Sequence, residues 1–165
     1  PGDTRKEMIT YVKAENKAYL MTKFLDTKNV SFNQVGNDQI LLRYADVLLM
    51  YAEALNELGY DASEGSIALK QLNATRTRAG LTKLTAADVP TQESFRKAIL
   101  DERQKEFPYE GHRWFDLVRM GYAKSVLATQ GLNIQDYQLL FPIPQTEIEK
   151  VGDSKILWQN PGYDK

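Results

Sequence analysis

Between Asp38 and Leu58 the apolar residues Leu41, Tyr44, Val47, Leu48, Tyr51, Leu55 and Leu58 recur at steps of three and four. Only an α-helix gathers residues of that spacing onto one side. Asp38 is placed to cap such a helix and Gly59 to end it. A second helix is expected to start after Ser63, to turn Ile67, Leu69, Leu72, Ala74 and Ala79 inward, and to stop at Gly80. Residues 38–80 therefore read as a helical hairpin.

Beyond the hairpin the helix signals continue. Thr91, after Pro90, suits the N-cap of a helix running to about Phe107, with Phe95, Ala98, Ile99 and Leu100 as its apolar side. Pro108 and Gly111 break it; a short helix then carries Trp114, Phe115, Leu117 and Val118 up to Gly121, and a weaker one spans Ala123 to Ala128. Strand patterns are confined to Tyr137–Phe141 and Tyr19–Phe24. Residues 131–165 read as an ordered, loop-rich cap, in which Pro142-Ile143-Pro144 and Trp158–Tyr163 hold too much proline and glycine for regular structure and Trp158 pins the tail to the body. The expected fold is mainly α, a single domain over 1–165: a less regular segment at 1–37, the hairpin at 38–80, helices over 91–130 and the cap at 131–165.

The 165 residues suffice for one hydrophobic core. A formal net charge of -1 with mixed signs offers no single-sign face for a nucleic acid backbone. Without cysteine there are no disulfides, thiolate nucleophiles or Cys-based metal sites. No apolar run approaches the roughly 20 residues that span a bilayer. The first residues, Pro1-Gly2-Asp3-Thr4-Arg5, lack an initiator methionine and a signal region, which reads as an internal start.

Titratable groups are densest at Glu102, Arg103, Glu106, Glu110, His112, Arg113, Asp116 and Arg119. Two carboxylates at a controlled separation would serve a glycosidase. Each of these has arginines close by in sequence, however, and an adjacent guanidinium lowers a carboxyl pKa, the wrong direction for a general acid. An ion-pair network setting the angle between two helices is the reading adopted. His112 is the sole histidine and follows Gly111, so a hydrogen bond within the helix-joining turn is expected of it, and no metal site. The serines lack a nucleophile-elbow setting, and no phosphate-cradling glycine loop occurs. No cofactor and no catalytic residue are assigned.

The stretch Ala52-Glu53-Ala54-Leu55-Asn56-Glu57-Leu58-Gly59, followed by Ala68-Leu69, is similar to one tetratricopeptide unit. Four segments in order carry a second and more specific likeness. They are Leu42–Ala54, Leu72–Leu81, Asp101–Phe107 running on into Glu110–Arg119, and Phe141–Ile148 with Gln159-Asn160-Pro161-Gly162-Tyr163. Together they resemble the C-terminal part of SusD/RagB proteins, over roughly residues 40 to 163.

That resemblance implies a SusD-like α/α superhelical fragment of a surface-exposed, lipid-anchored outer-membrane protein. It would bind oligosaccharides without catalysis and deliver them to a SusC/RagA-like TonB-dependent transporter, with the anchor lying upstream of this chain. Alternatives are a helical-repeat domain that docks the transporter, or peptide cargo as in RagB-like members. Sugar rings pack their C–H faces on aromatic side chains. Most aromatic residues here have competing core roles, but Tyr11 and Tyr19 precede the first helix and follow the part of the family that tends to form the ligand surface. They are the expected ligand-binding residues.

Overall fold

The computed structural model describes residues 2–6, 10–13, 18–24, 36, 38 and 40–163. The chain divides into two compact units, Pro1–Arg113 and Trp114–Lys165. The architecture is mainly α, with one two-stranded antiparallel pair among the described residues. No helix among them is long and apolar enough to cross a membrane.

In the first unit β1 (Thr10–Lys13) pairs with β2 (Ala18–Met21), Tyr11 opposite Leu20 and Val12 opposite Tyr19. The second strand overlaps the expected Tyr19–Phe24 stretch; its partner falls in the segment expected to be less regular. Three helices follow: α1 (Tyr44–Leu58), α2 (Ile67–Arg78) and α3 (Gln92–Glu106). Each packs on the other two. Thr91 caps α3 as its sequence setting predicts, accepting from the Ser94 amide, while the Ser94 hydroxyl accepts from the Thr91 amide at 2.9 Å. Ser66, not Ser63, caps α2.

Asp38 does not cap α1. The helix begins six residues later, with Arg43 at the N-cap in extended backbone and no side-chain cap. The Arg43 guanidinium is committed to the C-terminal end of α3, which holds the chain extended just before the helix.

The inward face of α1 is also not the expected one. Tyr44 is 73% exposed and Leu58 87%, with Leu41, Val47 and Tyr51 exposed as well. The buried stripe is Asp46, Leu49, Ala52 and Asn56, whose small and polar members allow α2 and α3 to approach closely. Asp46 is partnered by Arg103, and Asn56 exchanges two hydrogen bonds with Gln92, Asn56 Nδ2 donating to the Gln92 carbonyl at 3.2 Å and Gln92 Nε2 to the Asn56 backbone carbonyl at 2.7 Å, while the buried Asn56 Oδ1 accepts from no group among the described residues. On α2, Ile67 and Ala74 likewise face solvent, while Ala68, Leu69, Leu72 and Thr75 are buried. The core of the unit is Leu49, Ala52, Leu72, Phe95, Ile99 and Leu100.

The amino-terminal segment is tied to the end of α2. Thr4 donates to the Ala79 carbonyl through its amide (3.0 Å) and its hydroxyl (3.2 Å). A Cβ on Gly80, where φ is +77°, would lie 2.8 Å from the Gly2 carbonyl oxygen, so this approach requires glycine.

Helix α4 (His112–Arg119) runs into the second unit, which adds α5 (Ala123–Ala128), a 3₁₀ turn at Asp136–Leu139 and α6 (Gln145–Val151). The strand expected at Tyr137–Phe141 is thus a tight helical turn, whose start is closed by the Gln138 side chain accepting from the Gln135 amide at 2.8 Å. The cap also contains a helix, α6, in a stretch to which the sequence pattern assigns none, while 142–144 and 158–163 are irregular as expected. Trp158 is 62% exposed and does not pin the tail. Its neighbours do. The Gln159 side chain exchanges two hydrogen bonds with the Ile143 backbone (2.7 and 2.8 Å), Asn160 Nδ2 donates to the Phe141 carbonyl (2.7 Å), and the Tyr163 hydroxyl donates to the Leu140 carbonyl (2.9 Å).

Gly162 completes this clamp at φ +93°, where a Cβ would sit 2.8 Å from Tyr137 Cβ. Gly162→Ala is expected to cost about 2–4 kcal/mol, combining the left-handed backbone penalty with overpacking. A thermal melt of the variant, with limited proteolysis of the tail, measures it; an unchanged melt would show the clamp to be dispensable.

Candidate functional site

Helix α3 places Glu102 and Glu106 one turn apart on its inward side, and both side chains are almost wholly buried. Burying two carboxylates costs several kcal/mol each unless cations and hydrogen bonds compensate. Compensation comes from far along the chain. Arg5 Nη1 lies 2.7 Å from Glu102 Oε1 and 2.8 Å from Glu106 Oε2. Arg76 reaches Glu102 at 3.1 Å, Arg43 reaches Glu106 at 2.6 Å, and Arg78 also donates to Glu106. Arg103, between the two carboxylates in sequence, turns to Asp46 of α1 at 2.6 Å.

Glu110, past the end of α3, accepts from Arg43 Nε at 2.9 Å and from Lys23. Burial pushes the Glu110 carboxyl up, but the Arg43 and Lys23 hydrogen bonds outweigh it and hold the carboxyl below its ordinary value. Burial alone would lower Arg5; hydrogen bonds to Asp3, Glu106 and Glu102 reverse this and raise it. Phe107 is buried beneath the hub, with the Arg43 guanidinium 4.4 Å and the Arg103 guanidinium 4.9 Å from its ring centroid.

Lys23 joins the hub to the strand pair. Two residues after β2, its Nζ donates to the Glu106 carbonyl at 3.0 Å, where α3 leaves carbonyls unsatisfied. Beside it opens a cleft of ≈ 510 Å³ lined by Phe24, Ile40, Arg5, Lys23, Arg43 and Arg78 together with Glu106 and Glu110.

The network expected among Glu102, Glu106 and Glu110 is present, but the arginines near them in sequence are not its main cations. Its partners Arg5, Lys23, Arg43, Arg76 and Arg78 were not assigned from sequence, although Arg43, Arg76 and Arg78 sit in the segments that carry the family likeness. Asp116 is paired locally, with Arg119 at 2.8 Å. His112 packs its ring on Phe107, centroids 4.9 Å apart, instead of making the expected turn hydrogen bond among the contacts described. Tyr11 and Tyr19 stand on successive rungs of the strand pair; their side chains lie outside the described residues.

A glycosidase acid must hold a proton near the operating pH. Glu110 is held charged by two cations, and Glu102 and Glu106 each accept from two or three guanidinium groups. The hub ties Glu102, Glu106 and Glu110 to cations drawn from α2, from the N-cap of α1 and from the amino-terminal segment.

Residues 7–163 match the SusD family. SusD-like protein P2 of Formosa agariphila is 36% identical over 140 residues, covering 78% of this chain and 26% of that protein. Surface glycan-binding protein A from Bacteroides uniformis superposes with a TM-score of 0.72 at 29% identity, over 96% of this chain and 38% of that one. Surface glycan-binding protein A from Bacteroides thetaiotaomicron, solved in complex with laminarihexaose, superposes with a TM-score of 0.68 at 27% identity, over 97% and 38%. The chain spans about a quarter of the length of the curated relatives it matches.

Proposed function

This chain belongs to the SusD family, and from that premise we propose that it is part of a non-catalytic, surface-exposed outer-membrane lipoprotein that binds oligosaccharides and passes them to a SusC/RagA-like TonB-dependent transporter. The observation that carries this reading is the likeness, along 97% of the chain, to a glycan-binding protein solved with laminarihexaose. The neutralised carboxylates of the hub favour binding over hydrolysis.

Within this chain Tyr11 and Tyr19 are the proposed stacking residues. The strand pair that carries them is anchored to the rigid hub through Lys23, so a ring presented there would be held in position at low entropic cost. Titration calorimetry with laminari-oligosaccharides is expected to show that Tyr11→Ala or Tyr19→Ala weakens binding by about 0.5–1.5 kcal/mol, roughly two- to tenfold. Unchanged affinity in both variants would remove the strand pair from the site.

The exposed apolar stripe of α1 favours a second reading, in which the hairpin docks a protein partner such as the transporter. Binding to the transporter but to no saccharide would favour that reading; binding to peptides alone would point to peptide cargo.

A further inference from the structure

The chain as a whole is slightly acidic, with a formal net charge of -1, yet two clefts of its first unit are lined by more cations than anions. The cleft beside the hub sets Arg5, Lys23, Arg43 and Arg78 against Glu106 and Glu110, four positive groups to two negative. A second cleft of ≈ 670 Å³, between the outer side of α2 and the 83–85 loop, sets Lys70, Arg78 and Lys83 against Glu64, three to one. Arg78 lines both.

We propose that Arg78 and the two basic clefts it divides bind an anionic saccharide, through the carboxylate of a uronic acid or the sulfate ester of a sulfated sugar. The proposal rests on the glycan-binding reading and names its substrate class. Three observations carry it. First, a guanidinium has five donors, and the hydrogen bonds described for Arg78 use only Nη2, towards Glu106, while its side chain is 58% exposed. A planar fork with donors to spare matches a carboxylate or sulfate. Second, the Glu106 oxygens that would repel an anion already accept from Arg5, Arg43 and Arg78, and Glu110 is held by Arg43 and Lys23. Because Arg5 is also shared with Asp3 and Glu102, the hub's own pairs are close to balanced, and the positive charge left to a ligand is that of Arg78 and, in the second cleft, Lys70 and Lys83. Third, both are lined in part by apolar side chains, Phe24 and Ile40 in one and Leu69 and Leu84 in the other, which suit the C–H face of a sugar. The wall of the second is fixed, because the Asn73 side chain exchanges two hydrogen bonds of 2.8 Å with the Leu84 backbone.

The test is calorimetric titration of the chain with a neutral laminari-oligosaccharide, an oligogalacturonide and a sulfated oligosaccharide of matched length, at low and high salt. At least one acidic ligand is expected to bind about tenfold or more tightly than the neutral one, and to lose that advantage in high salt. Arg78→Gln should remove about tenfold of the acidic-ligand affinity, and Arg78→Lys should restore part of it. Lys83→Gln, an exposed change outside the hub, gives an independent reading, and thermal melts confirm that each variant is folded. The stronger acidic arm identifies carboxylate or sulfate. Equal binding of neutral and acidic ligands, or an Arg78→Gln variant indistinguishable from the parent, overturns the anionic site and leaves the glycan reading standing. Failure of every saccharide to bind overturns both.

Discussion

Replacing Glu106 by alanine should destabilise the chain by about 3–5 kcal/mol, the range for removing one partner of a buried ion pair. The mechanism is the loss of one acceptor for three guanidinium groups. Arg5 (2.8 Å), Arg43 (2.6 Å) and Arg78 all donate to this carboxylate, and the side chain is only 2% exposed. Arg5 retains Glu102 and Asp3, and Arg43 retains Glu110, so the hub does not dissolve; it is left with excess buried positive charge. Urea denaturation followed by circular dichroism measures the change. A loss below about 1 kcal/mol, the scale of an exposed pair, would mean that water reaches the hub and that it does not lock the three helices.

The same chemistry makes the fold acid-sensitive. Glu110 has a folded-state pKa depressed below its ordinary value of 4.5. Its contribution is therefore fully present above about pH 4.5 and is lost as the pH falls through the lower folded value. Denaturation midpoints measured across that interval should decline with acid, and Glu110→Gln should flatten the decline.

The second large effect is expected at Phe95. This ring is buried in the three-helix core and lies 6.1 Å, centroid to centroid, from Tyr60, whose hydroxyl donates to the Val89 carbonyl. Truncation to alanine removes the ring from the core beside Tyr60 and leaves a cavity there. A loss of about 3–5 kcal/mol is expected. Leu58→Ala supplies the contrast. The apolar period places Leu58 in the core, but its side chain is exposed, and the change should stay within about 0.5 kcal/mol. If Leu58→Ala proved as costly as Phe95→Ala in this chain, the face assignment of α1 would be wrong.

The contrast shows what a hydrophobic period can and cannot reveal. In α1 the stripe through Tyr44, Val47 and Tyr51 was legible, and it correctly announces a helix, since coiling alone brings those residues together. It does not say which side is covered. The buried stripe of Asp46, Leu49, Ala52 and Asn56 contains a carboxylate and an amide, so a hydropathy pattern ranks it as the outer face. Arg103 on α3 and Gln92 at its start reverse that ranking by partnering the Asp46 carboxylate and the Asn56 amide nitrogen, and neither is near in sequence. The binding tyrosines are a different case. Tyr11 and Tyr19 were singled out because no core role suggested itself, and the backbone pairing adds that they occupy successive rungs of one ribbon, opposite Leu20 and Val12.

What the sequence by itself determined is local or combinatorial: the helices at α1 to α5, the Thr91 cap, and the ordered segments that carry the SusD likeness. Helix period, capping chemistry and motif order all lie within a few residues of one another, and local physics suffices for them. Tertiary structure alone decided which face of α1 is buried, which cations neutralise Glu102 and Glu106, and how Gln159, Asn160 and Tyr163 lock the Leu140–Ile143 strip. Those choices depend on groups far apart along the chain, such as Arg5 and Glu102, separated by 97 positions. A buried charge takes whichever partner the packed helices bring within about 3 Å, and only the folded chain specifies that.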